Sequence, residues 1–303
     1  MSLIKNAITY KCDLPAAATL EKHLAEHPFC ELGEAEFSIA GFVPVKDERF
    51  VFPFPDGYCF RLRFDEKVLP SAVIRTEVNK RIAEIEAERG EELSFKESLR
   101  VRDDVYNDLV KKALSQSRYI TAFYRPKDRL LVANTASKAL ADVLSNRLVH
   151  AVGSIKATTI YISGISNGLT SKLHSYLNGG DGLEGFEIGG VCKLKGENGT
   201  AMSVKALEIH ESKDGLLEAL MQGYKVTELE IGNEDVTFRL NEKFIKKGIF
   251  FNFKEEDEYN GDDDIDQFQH DASCEMLWLA NACQQLLTLF EYKEPAADQE
   301  KAA

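Results

Sequence analysis

The sequence predicts an α+β fold: a mixed α/β domain carrying an inserted helical hairpin, followed by a second α+β domain that ends in a long apolar helix. Three observations carry this. Short runs rich in aromatic and β-branched residues, such as RFVFPF and YCFRLRF, sit between Pro and Gly and read as strands. A charged stretch, residues 77–109, reads as two helices joined around a glycine. Near the end, DASCEMLWLANACQQLLTLFEY places apolar residues around most of a helix.

The first domain takes residues 1–67 and 119–150. It begins with a strand at 3–11, a helix at about 15–27 and the strands EFSIAGFVPV, RFVFPF and YCFRLRF. After the interruption come YITAFYR, the turn PKDR, LLVAN and a helix from about Thr135 to Leu148, with Ala136, Leu140, Val143, Leu144 and Leu148 at helical spacing.

The insertion spans 68–118. Pro70 and Ser71 suit a helix start, and Ile74, Val78, Ile82 and Ile85 form a thin stripe. Gly90 is placed to end that helix, and Ser94 with Glu97 forms a capping-box pattern that starts the next. Two narrow stripes can cover each other in an antiparallel pair while the other faces meet water, so the hairpin is expected to project as an arm. At about 1.5 Å per residue, its first helix would reach about 28 Å.

From 151 to 293 short strands and helices alternate: TTIYIS, a helix over 168–177, the glycine-rich NGGDGLEGFEIGG, and the hairpin VCKLKGENGTAMSVKAL. A helix near 214–222, three more strands and the final helix follow, the last with Asp271 as its expected cap. Residues 294–303 are expected to form a disordered tail.

Composition narrows the function classes. A chain of 303 residues suggests two or three compact regions. The start, MSLIKNAITYKCDL, lacks the basic-then-apolar order of a signal peptide, and no apolar run approaches the roughly 20 residues of a membrane span. A cytoplasmic protein without membrane contact is expected. Six cysteines lie far apart without a C-x-x-C pair and read as reduced core residues. The net charge of -13 hides an asymmetry: residues 251–303 hold 3 Lys and Arg against 14 Asp and Glu, whereas 109–180 hold 10 against 2. A local positive field within an acidic chain points to polyanion contact, because the field near a phosphate matters more than the sum. The competing account is that these cations scatter and pair with acids from elsewhere.

Catalytic motifs are weak. His23-Leu-Ala-Glu26-His27 matches the inverted zinc-peptidase pattern, in which two imidazoles one turn apart bind zinc and the glutamate activates water. Pro28 biases His27 away from helical geometry and argues against it. The glycine-rich 178–190 lacks the G-x-x-x-x-G-K-[ST] order, and DDDID at 262–266 has Gln267 and Ser273 where a calcium loop needs Gly and Glu. No cofactor or metal is expected.

Beyond these motifs, the chain resembles the bacterial RdgC family of recombination-associated proteins. The likeness lies in LIKNAITY, GFVPV at 41–45, EKVLPSAVI at 66–74, RIAEIEAE at 81–88, ASKALADVLSNRL at 136–148 and GYKVTEL at 223–229, in order over nearly the full length. The resemblance implies a ring-shaped homodimer that encircles double-stranded DNA without sequence preference and restrains RecA-driven recombination, as a non-enzymatic, nucleoid-associated protein. It divides the chain into a centre domain, the inserted tip and a base domain. Leu114 stands where the family is expected to have a phenylalanine at the end of the tip segment, at the dimer contact. Tyr224 and Glu228 stand where it tends to have lysine in the base.

The cations expected to contact phosphate are Lys67, Lys111, Lys112, Arg118, Lys193, Lys195, Lys205 and Lys225. The alternative is a zinc-dependent metallohydrolase using His23, Glu26 and His27. Elemental analysis of the purified protein separates the two: stoichiometric zinc favours the hydrolase, and its absence is the result expected.

Overall fold

The computed structural model describes residues 2–292, apart from 161, 163, 181, 182, 255, 256, 258, 260, 262 and the side chain of Thr159. The expected tail, 294–303, lies outside the described residues.

Strand β1 (Asn6–Lys11) is followed by α1 (Ala17–Ala25), β2 (Ser38–Val43), β3 (Val51–Phe54) and β4 (Gly57–Lys67). Helices α2 (Ser71–Arg89) and α3 (Phe95–Lys112) form the hairpin, and β5 (Ser115–Arg125), β6 (Leu130–Ala133) and α4 (Lys138–Val152) follow. The remainder comprises β7 (Thr158–Thr159), α5 (Ile165–Leu177), β8 (Glu187–Lys195), β9 (Ala201–Lys205), α6 (Lys213–Met221), β10 (Lys225–Gly232), β11 (Val236–Asn241), β12 (Lys246–Phe251) and α7 (Asp264–Leu289). The α+β class is therefore observed.

Among the described residues the twelve strands form one sheet, ordered β2-β4-β5-β6-β1-β12-β11-β10-β8-β9, with β3 paired to β4 and β7 to β1. Strand β1 is the joint: Ile8–Lys11 pair with β6, while Asn6 and Ala7 pair with Lys247 and Lys246 of β12. Alternation along each strand builds two cores. Ile8, Tyr10, Phe42, Phe60, Leu62 and Ile120 pack on one face beneath Leu20 and Leu24 of α1 and Leu144 and Leu148 of α4. On the opposite face, α5, α6 and α7 cover a core that runs from Phe52 and Phe123 to Leu229, Phe238 and Leu240.

Helix α7 straps that second face. Its Phe268 meets Phe52 edge-on at 5.4 Å, and Gln269 Nε2 and Ser273 Oγ donate to the carbonyls of Pro53 and Pro55. The helix starts earlier than expected: Asp263 caps it, accepting from the amides of Ile265 and Asp266, and Asp271 lies a full two turns inside. It is also one-sided, with Met276, Leu279, Cys283 and Leu286 buried while Leu277, Asn281, Gln284 and Gln285 face outward. The apolar character expected around most of its circumference lies mainly on the core side, with Leu277 exposed. No helix among the described residues is long and apolar enough to cross a membrane.

The hairpin begins and ends where its punctuation dictates. Gly90 is left-handed at φ +75°, and Ser94 and Glu97 form the reciprocal capping box. Arg89 reaches Glu97 at 2.8 Å, and Glu86 accepts from the Leu93 amide, so the distal loop is tied to both helices. At the root, β4 and β5 pair continuously from Tyr58 with Tyr124 to Lys67 with Ser115. Residues 115–118, expected within the arm, are therefore strand. Leu114 lies at this root, linking α3 to β5, with its carbonyl accepting from Val68. The exposed aromatic at the distal end is Phe95, 80% accessible. Of the six cysteines, Cys30 is exposed, against the core position expected for it.

The buried Glu275 of α7 accepts the amides of Leu3 and Ile4 at 2.8 Å each, just ahead of β1. Burial pushes its carboxyl up to about 7 despite these bonds. Between the ordinary value of 4.5 and about 7 the folded chain keeps a proton that the unfolded chain releases. The stability this contributes is full below the ordinary value and is lost as pH rises through about 7. Glu275→Gln should flatten that part of the denaturation profile, measured across pH, while Glu275→Ala should cost about 1–3 kcal/mol for each amide left without an acceptor.

Candidate nucleic-acid interface

The β8–β12 half of the sheet has one face covered by helices and one open. Inward residues on these strands are apolar: Ile188, Cys192 and Leu194 on β8, Val204 on β9, Val226, Leu229 and Ile231 on β10, and Phe238 and Leu240 on β11. The intervening residues must point the other way, and they carry the charge.

Register assembles the open face. Lys225 lies directly across from Lys195, Lys193 across from Ser203, and Val191 across from Lys205, so the four lysines share one side of β8, β9 and β10. Arg239 pairs with Lys247 and Lys247 with Asn6, which extends the same side across β11 and β12 to β1. Two more ladders carry the same side of the sheet to β5, where Ile8 pairs with Ala133 and Ala133 with Ala122, four residues from Arg118, but there α1 and α4 cover it. Seven cations thus lie on one side of the sheet, six of them on its open half, where Glu187, Glu228 and Glu230 stand among them. Lys193, Lys195, Lys205 and Lys225 are exposed; Arg118, Arg239 and Lys247 are half-buried.

Partners divide this set. Glu228, 5% exposed, lies among Lys193 at 2.8 Å, Lys247 at 2.9 Å and Arg239 at 3.9 Å. Burial alone would push Glu228 up, but the hydrogen bonds and charges of Lys193 and Lys247 outweigh it and hold the carboxyl below its usual range. Arg118 pairs with Glu66 at 2.8 Å. Among the described residues no carboxylate forms an ion pair with Lys195, Lys205 or Lys225. Tyr224 turns its hydroxyl to Thr200 Oγ1 at 2.6 Å, beside the β8–β9 turn, and leaves Lys225 to the open face.

The remaining expected cations lie elsewhere. Lys67 alternates with Asp65 and Arg63 onto the opposite side of β4, and its ammonium donates to the Ala113 carbonyl at 3.4 Å. Lys111 and Lys112 are exposed in the last turn of α3, off the sheet, where positive charge suits the helix dipole. The cation-rich segment 109–180 does not build the face, which takes only Arg118 from it. Its Arg125 pairs with Asp128 at 2.6 Å and its Arg129 with Asp13 at 2.6 Å.

Arg239 and Lys247 escaped the sequence reading. The alternation of VTFRLN would have found Arg239, which stands between buried Phe238 and Leu240. The adjacent lysines of β12 required the register: Lys247 faces out, while Lys246 is fully buried, 3.6 Å from the Phe244 ring centre and within 3.2 Å of Thr9 Oγ1. Burial pushes the Lys246 ammonium down.

The zinc alternative finds no support. Helix α1 ends at Ala25, so His23 and His27 are not stacked on one helical face, and His27 instead meets the His150 ring edge-on at 5.0 Å. Among the described residues no group of three or more His, Cys, Asp or Glu is placed to hold a metal ion.

Like charges directly across a ladder destabilise a sheet. Lys225→Gln should therefore raise stability by about 0.2–1 kcal/mol in chemical denaturation, since it relieves Lys195 without disturbing the core.

Comparison with known proteins finds relatives over most of the chain. The family model described as "Putative exonuclease, RdgC" matches residues 2–293. A recombination-associated protein RdgC from Neisseria meningitidis serogroup B (strain ATCC BAA-335 / MC58) is 29% identical over 255 residues, covering 82% of this chain and 84% of the relative. The protein of the same name from Neisseria gonorrhoeae (strain ATCC 700825 / FA 1090) matches to the same extent. That of Pseudomonas putida (strain GB-1) is 26% identical over 301 residues, 95% of each chain. With a family match running across nearly every residue, the chain belongs to the RdgC family.

Proposed function

We propose that the protein binds double-stranded DNA through phosphate contacts without reading sequence, and that it does so as a homodimer closed around the duplex. The observation that carries this reading is the open face on which Lys195 stands directly across from Lys225, with Lys205 nearby. An uncompensated cluster of this kind opposes folding, and an anionic partner offsets that cost. A broad sheet face of flexible lysines suits the phosphate backbone better than base edges, which call for bidentate side chains placed in a groove.

Lys193, Lys195, Lys205 and Lys225 supply the main contacts in this reading, with Arg118 at the edge of the same face and Lys67, Lys111 and Lys112 at the arm's root. In this reading the dimer contact assigned to Leu114, 82% exposed, lies at the arm's root, so the root of the hairpin and not its distal end meets the two-fold mate. Occupation of DNA then excludes a recombinase such as RecA, in keeping with the recombination-associated name of the relatives. The protein acts at the cytoplasmic nucleoid, without a cofactor and without cleaving DNA.

Binding should be indifferent to sequence and fall with salt, with log K declining against log salt at about -0.9 per phosphate neutralised. Each of Lys195, Lys205 and Lys225 changed to Gln should remove about 0.9 from that slope, measured by fluorescence anisotropy on unrelated duplexes. Failure to bind any duplex at low salt would falsify the reading. Because the family description names an exonuclease, end-labelled duplex incubated with magnesium provides a further check, and its length should not change. Small-angle scattering should show a dimer with a central opening.

A further inference from the structure

We infer that Glu228 is a built-in counter-ion that holds the cationic face below its full affinity for phosphate. The inference rests on the nucleic-acid reading of that face and adds to it a residue that sets the strength of binding.

Glu228 sits on β10 opposite Lys193, between two irregularities of the β8–β10 ladder. Its side chain is 5% exposed, whereas those of Lys193, Arg239 and Lys247 are 46%, 38% and 32% exposed. The carboxylate therefore lies beneath the three cations. Lys193 lies 2.8 Å from Oε1 and Lys247 2.9 Å from Oε2, so each oxygen already has an ammonium in contact. A phosphate arriving from solvent meets three cations, two of them turned toward an anion behind them. The backbone of Glu228 is held on both sides by β8 and β11, which keeps its carboxylate within reach of these cations. It subtracts one charge from the middle of the face and withholds donors that a phosphate would otherwise use. Lys195, Lys205 and Lys225 lie outside this clasp.

Glu228→Gln keeps the shape and removes the charge. On the full-length protein it should tighten duplex binding at low salt by about tenfold, the scale of one charge-assisted hydrogen bond, and steepen the salt slope by about 0.9. Glu218→Gln, an exposed position on α6, makes the same change in net charge and should leave both unchanged. An equal response of the two variants, or no tightening with Glu228→Gln, overturns the inference. If Glu228→Gln does not fold by thermal melting, Lys247→Gln decides: it should reduce the slope by less than Lys195→Gln, because its charge is already engaged, and an equal reduction is the contrary result. Elution from immobilised heparin separates this question from the choice of DNA as ligand. Should no variant bind duplex, the nucleic-acid reading fails, and later elution of Glu228→Gln than of Glu218→Gln still supports the counter-ion, while co-elution removes it.

Discussion

The architecture depends on two backbone amides and one buried carboxylate. Leu3 and Ile4 donate to Glu275, and the chain they begin runs directly into β1. Because β1 pairs with β6 on one side and β12 on the other, its position fixes how the halves of the sheet meet. Slipping β1 by one residue would turn Ala7 and Ile8 onto the wrong cores and reverse the relation between Asn6 and Lys247. The ladders and the two cores oppose that slip, and the acid that anchors the residues just ahead of β1 comes from the distant helix α7.

That arrangement explains how a strongly acidic chain can present a basic surface. The cations come from six strands, β5 and β8 to β12, and only pairing brings them to one side. Segment totals did not reveal the face, because charge summed along the chain ignores which way each side chain points. Arg125 and Arg129 enrich their segment and then pair with Asp128 and Asp13, whereas Arg239 and Lys247 stand in an unremarkable stretch and join the face.

Local chemistry was legible in the sequence. Gly90, Ser94 and Glu97 placed both hairpin helices because caps act within a single turn, and aromatic and β-branched runs located most strands. Helix α7 starts two turns ahead of the expected cap, since Asp263 and Asp271 are equally able caps and the earlier start lets Phe268 pack against Phe52. The site was legible only in part. Lys193, Lys195, Lys205 and Lys225 could be named as candidates beside the family resemblance, but their convergence, the burial of Lys246 and the position of Glu228 beneath three cations all depend on register between strands distant in sequence.

The ribbon at the root of the arm also has a mechanical meaning. The helices rise from two strands of 11 residues each, paired from Tyr58 to Lys67, with β2 beside β4 as far as Glu66 and β6 leaving β5 at Ala122. A change of about 10° in that ribbon, roughly half the usual twist between neighbouring strands, would carry the far end of an arm about 28 Å long through about 5 Å. The hairpin thus behaves as a lever whose fulcrum is hydrogen-bonded backbone: torsion too small to disturb the cores becomes displacement at Phe95.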